Sequence, residues 1–380
     1  MTSQSAPSIL FTHHPQQQGF RLLELPPDLA ELLSLENPPV LELKSPSPAS
    51  RINPSSANGA AATTADYVNL CTVTQTYAIR QVQSSNSLHI LKPSRGDSVR
   101  QDDLAIVGED GAENEDGAMD VDIAEIPNIE GTVASISKCG STLELHKPAE
   151  GFSAELFLRS LVAVYEKGDG VDNADIDNDG GLTGSEATEM RRDTLERTFS
   201  DIPVSRAECE RGWVDICAFI DLSQSPAIES SCWQPSAEMK LEVWKRIVEG
   251  SVLQGIALGQ QFLVRDLWRS VLDDDGLEPF PRPLFEAVVR RIRESVDGAD
   301  SVTLESEMEW ASIDKSVCVR WVGEVYLEHT APGLATAVGE TEFLSAWKDQ
   351  LPEIWREDVS ISVLPVCGTH RVKHNRMYSC

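Results

Sequence analysis

Residues Asp175-Ile176-Asp177-Asn178-Asp179-Gly180-Gly181-Leu182-Thr183-Gly184-Ser185-Glu186 have the types and spacing of a twelve-residue calcium loop. Asp175, Asp177, Asp179 and Glu186 supply hard oxygens at the first, third, fifth and twelfth positions, and Gly180 at the sixth permits the sharp turn. One reading is therefore a calcium-binding regulatory protein. The other is a solvated acidic loop that matches by composition. Gly168-Asp169-Gly170 upstream is poor material for the end of an entering helix, and no second loop of this kind is present to pair with it.

A second group is cationic. Over 281–296, Leu284, Phe285, Val288, Val289, Ile292 and Val296 recur at helical spacing, so they form one apolar face. Arg282, Arg290, Arg291 and Arg293 fall on the remaining arc, where guanidinium groups could contact DNA phosphates. Lys245 and Arg246 could extend that patch. The competing reading is a solvated basic face balanced by Glu286 and Glu294.

Other chemistry is not in view. There is no phosphate-binding Gly-x-x-x-x-Gly-Lys-Ser/Thr loop, no Gly-x-Ser-x-Gly turn and no His-Glu-x-x-His helix. The eight cysteines form no Cys-x-x-Cys pair, and most have apolar neighbours, as in Leu70-Cys71 and Val317-Cys318-Val319. They read as reduced core residues, with no metal site among them. The chain is expected to be no enzyme and to need no cofactor.

The net charge of −29 is segregated. Residues 101–125 carry ten acids and no Lys or Arg, and 166–189 carry eight acids against Lys167. The remainder is only mildly acidic, so a local basic face is compatible with the total. With 41% hydrophobic residues the chain can fill cores, and with no run of ~18 apolar residues it is not expected to span a membrane.

These elements need a scaffold. Residues 1–19, rich in Ser, Pro and Gln, read as a disordered leader. Residues 20–25, 40–44, 67–73, 76–82, 86–91, 132–137 and 142–146 read as short strands. Asp28 is placed to cap a short helix between the first two of them. The resulting domain, 20–150, is interrupted by an acidic insertion at about 92–127 and is expected to be antiparallel and barrel-like. Residues 151–185 read as a helix over 152–166 and the acidic loop. Beyond them, helices at 186–199, 205–220, 237–249, 260–272, 281–296, 314–328 and 341–348 alternate with short strands near Cys232-Trp233 and 308–311. Helix, helix, helix and hairpin is winged-helix order, giving modules at 186–236 and 237–312. A partial third module and irregular tail fill 313–380, because Cys367–Cys380 shows neither an amphipathic helix nor a hairpin and suggests a truncated end. The expected fold class is α+β. A winged-helix transcription regulator is a further functional reading of this order.

Phe20-Arg21-Leu22-Leu23-Glu24-Leu25, Tyr67-Val68-Asn69-Leu70-Cys71-Thr72 and Thr76-Tyr77-Ala78-Ile79-Arg80-Gln81-Val82-Gln83-Ser84-Ser85-Asn86-Ser87-Leu88 together resemble the Dcc family of sister chromatid cohesion proteins over about 20–360. The resemblance implies a nuclear, non-catalytic subunit of the alternative, replication-factor-C-like clamp loader. Its implied partners are the large and small Ctf-type subunits, which complete a shared β-barrel, together with DNA and the leading-strand polymerase epsilon. The complex would load and unload the sliding clamp PCNA in DNA replication and cohesion. ATP hydrolysis would belong to other subunits, in keeping with the missing phosphate loop here.

Overall fold

The computed structural model describes residues 9–14, 16–46, 67–93, 105–107, 133–149, 151–166, 184–222, 231–273, 275–294, 304, 308–364, 370–373 and 376–379. The protein is α+β and divides into two units, one of residues 1–39 and 77–147, the other of 40–76 and 148–380.

The first unit is built on β1 (Ile9–His13), β2 (Leu22–Glu24), the short helix α1 (Pro27–Leu33), and, after β3 (Glu42–Lys44) and β4 (Asn69–Cys71) of the second unit, on β5 (Thr76–Pro93), β6 (Ala105–Val107) and β7 (Val133–His146). β5 and β7 pair antiparallel from Ala78↔His146 to Pro93↔Val133. Each is one long strand where the sequence suggests two short ones. The polar run after Gln83, which looks like a turn, is absorbed as a bulge between Gln83↔Ser141 and Leu88↔Cys139.

Three expectations are corrected here. The sheet is mixed, because β1 and β2 both run parallel to β7 along its other edge. Among the described residues it is open and not barrel-like, with β6 and β2 paired on one side only. The leader and the acidic insertion each contribute a strand, Phe11↔Ala105 and Ile9↔Val107 pairing β1 with β6. β1 takes its stability from the long β7 and β6 in turn from β1, which is why local composition hides them. Asp28 does not cap α1 either. It lies within the first turn, Pro26 is the N-cap, and the Asp28 carboxylate accepts a 2.9 Å hydrogen bond from the Tyr77 hydroxyl.

The second unit repeats one order of elements three times. The first pass is α2 (Glu155–Leu161), β8 (Ala163–Tyr165), α3 (Gly184–Ser200), α4 (Arg206–Asp215), β9 (Phe219–Ile220) and β10 (Cys232–Pro235). The second is α5 (Ala237–Gln254), β11 (Phe262–Leu263), α6 (Val264–Val271), α7 (Arg282–Ile292), a bridge at Arg293↔Ile313 and β12 (Trp310–Ala311). The third is α8 (Lys315–Thr330), β13 (Val338–Gly339), α9 (Glu340–Asp349), two 3₁₀ segments at Glu353–Asp358 and Ile361–Val363, then β14 (His370–Lys373) and β15 (Arg376–Ser379). In every pass the strand after the first helix pairs with the last strand: β8 with β10, β11 with β12, β13 with β15.

Two further expectations change. The helix expected over 152–166 stops at Leu161, and Ala163-Val164-Tyr165 is a strand. There the buried Tyr165 ring meets Phe219 and Trp233 edge to face. The first pass accordingly starts at Glu155 and not at 186. The irregular tail is, at its end, the β14–β15 hairpin. Met377 is fully buried, and the Ser379 N–H donates to the Ala331 carbonyl at 2.8 Å. With only Val372, Met377 and Tyr378 apolar, this hairpin carries little alternation of its own and is fixed by packing on α8.

Leu158, Leu195, Phe199, Ile202, Trp213 and Ile216 form the core of the first pass, while the second and third share a larger one around Trp244, Leu267, Phe285, Trp321, Phe343 and Trp347. Helices approach closely where glycine allows it. A Cβ on Gly250 of α5 would lie 2.4 Å from Ser270 Oγ and 2.8 Å from its carbonyl oxygen, and one on Gly323 of α8 would lie 2.5 Å from the Trp347 ring. The ring is pinned by its indole N–H donating to the Val319 carbonyl at 3.0 Å, so it cannot yield freely. Gly250→Ala and Gly323→Ala are each expected to lose about 1–3 kcal/mol in urea unfolding, against less than ~0.5 kcal/mol for Ala at exposed Gly259.

Candidate partner and nucleic-acid interfaces

The sheet of the first unit is thinly covered. Among the described side chains, its buried apolar residues are Leu29, Tyr77, Ala134, Ile136 and Cys139, and they share the interior with Thr12, Ser135 and Ser137. The His89 ring and the Ser135 hydroxyl are 3.0 Å apart, one hydrogen bond within that polar interior. Meanwhile Leu35 is 56% exposed, Leu88 50% and Leu91 47%, with Phe20, Leu23 and Leu25 also exposed. Among the side chains described, apolar residues on the 18-residue strand thus stand exposed beside a partly polar interior. Strand edges and apolar side chains left uncovered together are the chemistry of a surface that a further chain completes.

Residues 40–76, expected within the front domain, group with the second unit. β3 and β4 pair antiparallel, Glu42↔Cys71 to Lys44↔Asn69, and are tied to the segment before α4. The Asn69 amide donates to the Pro203 carbonyl at 2.7 Å, and Lys44 Nζ donates to that of Val204 at 3.3 Å. The Ala207 N–H donates to the Val73 carbonyl at 3.1 Å. At the centre Glu208 Oε2 accepts from Thr76 Oγ1, from Ser205 Oγ at 2.7 Å and from Ser205 N–H at 3.2 Å. Ser205 caps α4 in return, completing a Ser-x-x-Glu capping box whose spacing is legible in the sequence. Glu208, Thr76 and Ser205 are buried, and Glu208→Ala is expected to strand the Thr76 and Ser205 donors. The expected loss is about 2–3 kcal/mol in urea unfolding, with Glu208→Gln losing less.

The four arginines on and after α7 do not make one exposed basic face, and none of them is an exposed residue. Arg282 Nε lies 3.0 Å from Glu286. Arg291 turns onto the first pass, its Nε 3.5 Å from the Asp215 carboxylate at the end of α4. Burial lifts the Asp215 carboxyl above its usual range, outweighing the pull of Arg291 in the other direction. Burial also draws Arg290 down to about 10, with Arg293 and Arg191 lowering it further against Glu286, and it lowers Arg293. Lys245 and Arg246 are engaged too, by Glu249 and by Asp273 at 2.9 Å. The amphipathic period correctly marks the apolar face of α7, but periodicity cannot tell a helix facing water from one whose second face meets another helix.

The candidate calcium loop lies outside the described residues, save for its end, where Glu186 sits in the first turn of α3. Among the described residues no cluster of three or more His, Cys, Asp or Glu is placed to hold a metal. The six described cysteines are free thiols, and burial pushes Cys209 up to about 12. Six of the eight tryptophans are buried, and among them Trp244 stacks on Trp355 at 6.3 Å and donates to the Gln350 carbonyl, while Trp310 is exposed. No described helix is long and apolar enough to cross a membrane.

The family model for sister chromatid cohesion protein Dcc1 matches residues 20–376, nearly the whole chain. The chain belongs to the Dcc1 family. No curated protein matches it. Membership places the chain in sister chromatid cohesion, and the match spans both units, so the open sheet and the repeated helical passes are parts of one Dcc1-type protein. For this Dcc1 family member, Arg291→Ala is expected to lower the unfolding free energy measured in urea by about 1 kcal/mol, seen as a lower midpoint. It removes a partly buried pair, whereas a solvated phosphate contact would leave the midpoint unmoved.

Proposed function

We propose that the protein is a non-catalytic subunit of the alternative clamp loader that loads and unloads PCNA, acting in the nucleus in DNA replication and cohesion. The open, thinly covered sheet of the first unit carries this reading. It is a surface that strands of other chains complete, and the large and small Ctf-type subunits are the partners this family suggests. The three repeated passes are winged-helix modules in this reading, a view supported by the order helix, strand, helix, helix, strand, strand and by the recurring pairing of the first strand with the last. They would link the loader to DNA and to the leading-strand polymerase epsilon. Burial of Arg290 and Arg291 shifts the proposed DNA contact from their guanidinium groups toward the less buried Arg282 and Arg293.

Co-expression with the two Ctf-type subunits tests it. The full chain is expected to co-purify stoichiometrically with both. Leu88→Asp combined with Leu91→Asp is expected to weaken capture at least about tenfold while leaving the melting of the second unit unchanged. Undiminished capture by the double variant would remove this surface from the interface, and ATP hydrolysis by the isolated chain would contradict a non-catalytic role.

A further inference from the structure

A small recess in the second unit lies between α3, α4, β9 and α7. Arg191 of α3 and Arg290 of α7 line it from opposite elements, and Trp213, Leu195 and Ala287 form apolar wall. Glu286 is the one carboxylate in the lining; it lies 3.0 Å from Arg282 and also acts on Arg290, so a ligand would share Arg290 with it. The recess has about 50 Å³ of room. At the ~10–15 Å³ needed per water, that is space for about three or four waters, comparable to a single tetrahedral oxyanion.

We propose that this recess binds the phosphoryl group of a phosphomonoester, a phosphorylated side chain of a partner protein being its source. Guanidinium forks match phosphate oxygens, and two of them approaching from separate helices can grip one phosphoryl group from two sides. The apolar wall suits the short aliphatic stem of such a side chain. A duplex phosphodiester fits less well, since its phosphorus is flanked by sugars on both sides and cannot enter a recess of this size. The chain's net −29 also opposes a polyanion more than a single charged group. The electrostatics point the same way. Burial disfavours the charge on Arg290, Glu286 partly offsets this, and the neighbouring Arg293 and Arg191 add to the penalty, which an entering dianion would relieve. The inference does not depend on the clamp-loader reading, because it concerns only the lining of the second unit.

Titration calorimetry of the full chain with O-phosphoserine tests it, with serine and a short duplex DNA as parallel titrants. Saturable one-to-one heat with phosphoserine and none with serine is expected. Arg191→Ala is expected to weaken binding at least about tenfold and Arg191→Lys by less, because Lys keeps the charge but loses the fork. Arg191 is only half-buried, and an unchanged melting temperature in both variants would separate lost binding from lost fold. Absence of saturable heat with phosphoserine, equal affinity in Arg191→Ala, or an Arg191-dependent response to duplex DNA alone would each overturn the proposal.

Discussion

One buried carboxylate holds the two ends of the second unit's chain together. Glu208 accepts hydrogen bonds from Thr76 and Ser205 inside the protein, where water cannot substitute for either donor. Around it, Asn69, Lys44 and Ala207 join the same two segments through bonds that span 134 to 160 positions in sequence. The consequence is architectural. The β3–β4 pair is anchored to the helical unit, and the chain leaves that anchor at Thr76 directly into the longest strand of the sheet. A charged group is suited to the role because it can satisfy several donors at once, which an amide or hydroxyl acceptor cannot do as strongly.

Charge has a second structural use at the joints between passes. Glu328 of α8 lies 3.6 Å from the buried Lys240 of α5 and 3.8 Å from Arg159 of α2, so one carboxylate touches all three passes. Arg291 and Asp215 make a comparable joint between α7 and α4. Partly buried pairs of this kind add little net stability, yet they penalise any rearrangement that strands one partner. They fix how the passes are mutually arranged, while the stability comes from the shared aromatic core around Trp244, Phe285 and Trp347. The basic arc of α7 is thereby partly consumed in assembly, which limits what it can offer to nucleic acid.

The first unit has the opposite economy. It has long paired strands, a polar interior of Thr12, Ser135 and Ser137, and exposed Leu88 and Leu91. An open edge with exposed apolar side chains is suited to pairing with another chain. A cohesion protein of the Dcc1 family with such a surface is naturally read as an assembly component, and the proposed clamp-loader role gives that surface an occupant.

What was legible in the sequence follows from local physics. Apolar periodicity located α3, α5, α7, α8 and α9 to within a few residues, because each helix buries one face whatever it packs against. β-branched alternation located β5 and β7, and the string from Thr76 to Leu88 carried the family. Tertiary structure alone decided the rest. β1 is a strand because it pairs with β7, β6 because it pairs with β1, and β15 because it pairs with β13 and packs on α8, a cooperative effect with no local signature. Ala163–Tyr165 is a strand because Tyr165 finds Phe219 and Trp233, over fifty residues away. Whether Arg290 and Arg291 meet water or protein depends on where α4 docks, and a side chain's own sequence neighbourhood holds no record of the surface that will desolvate it.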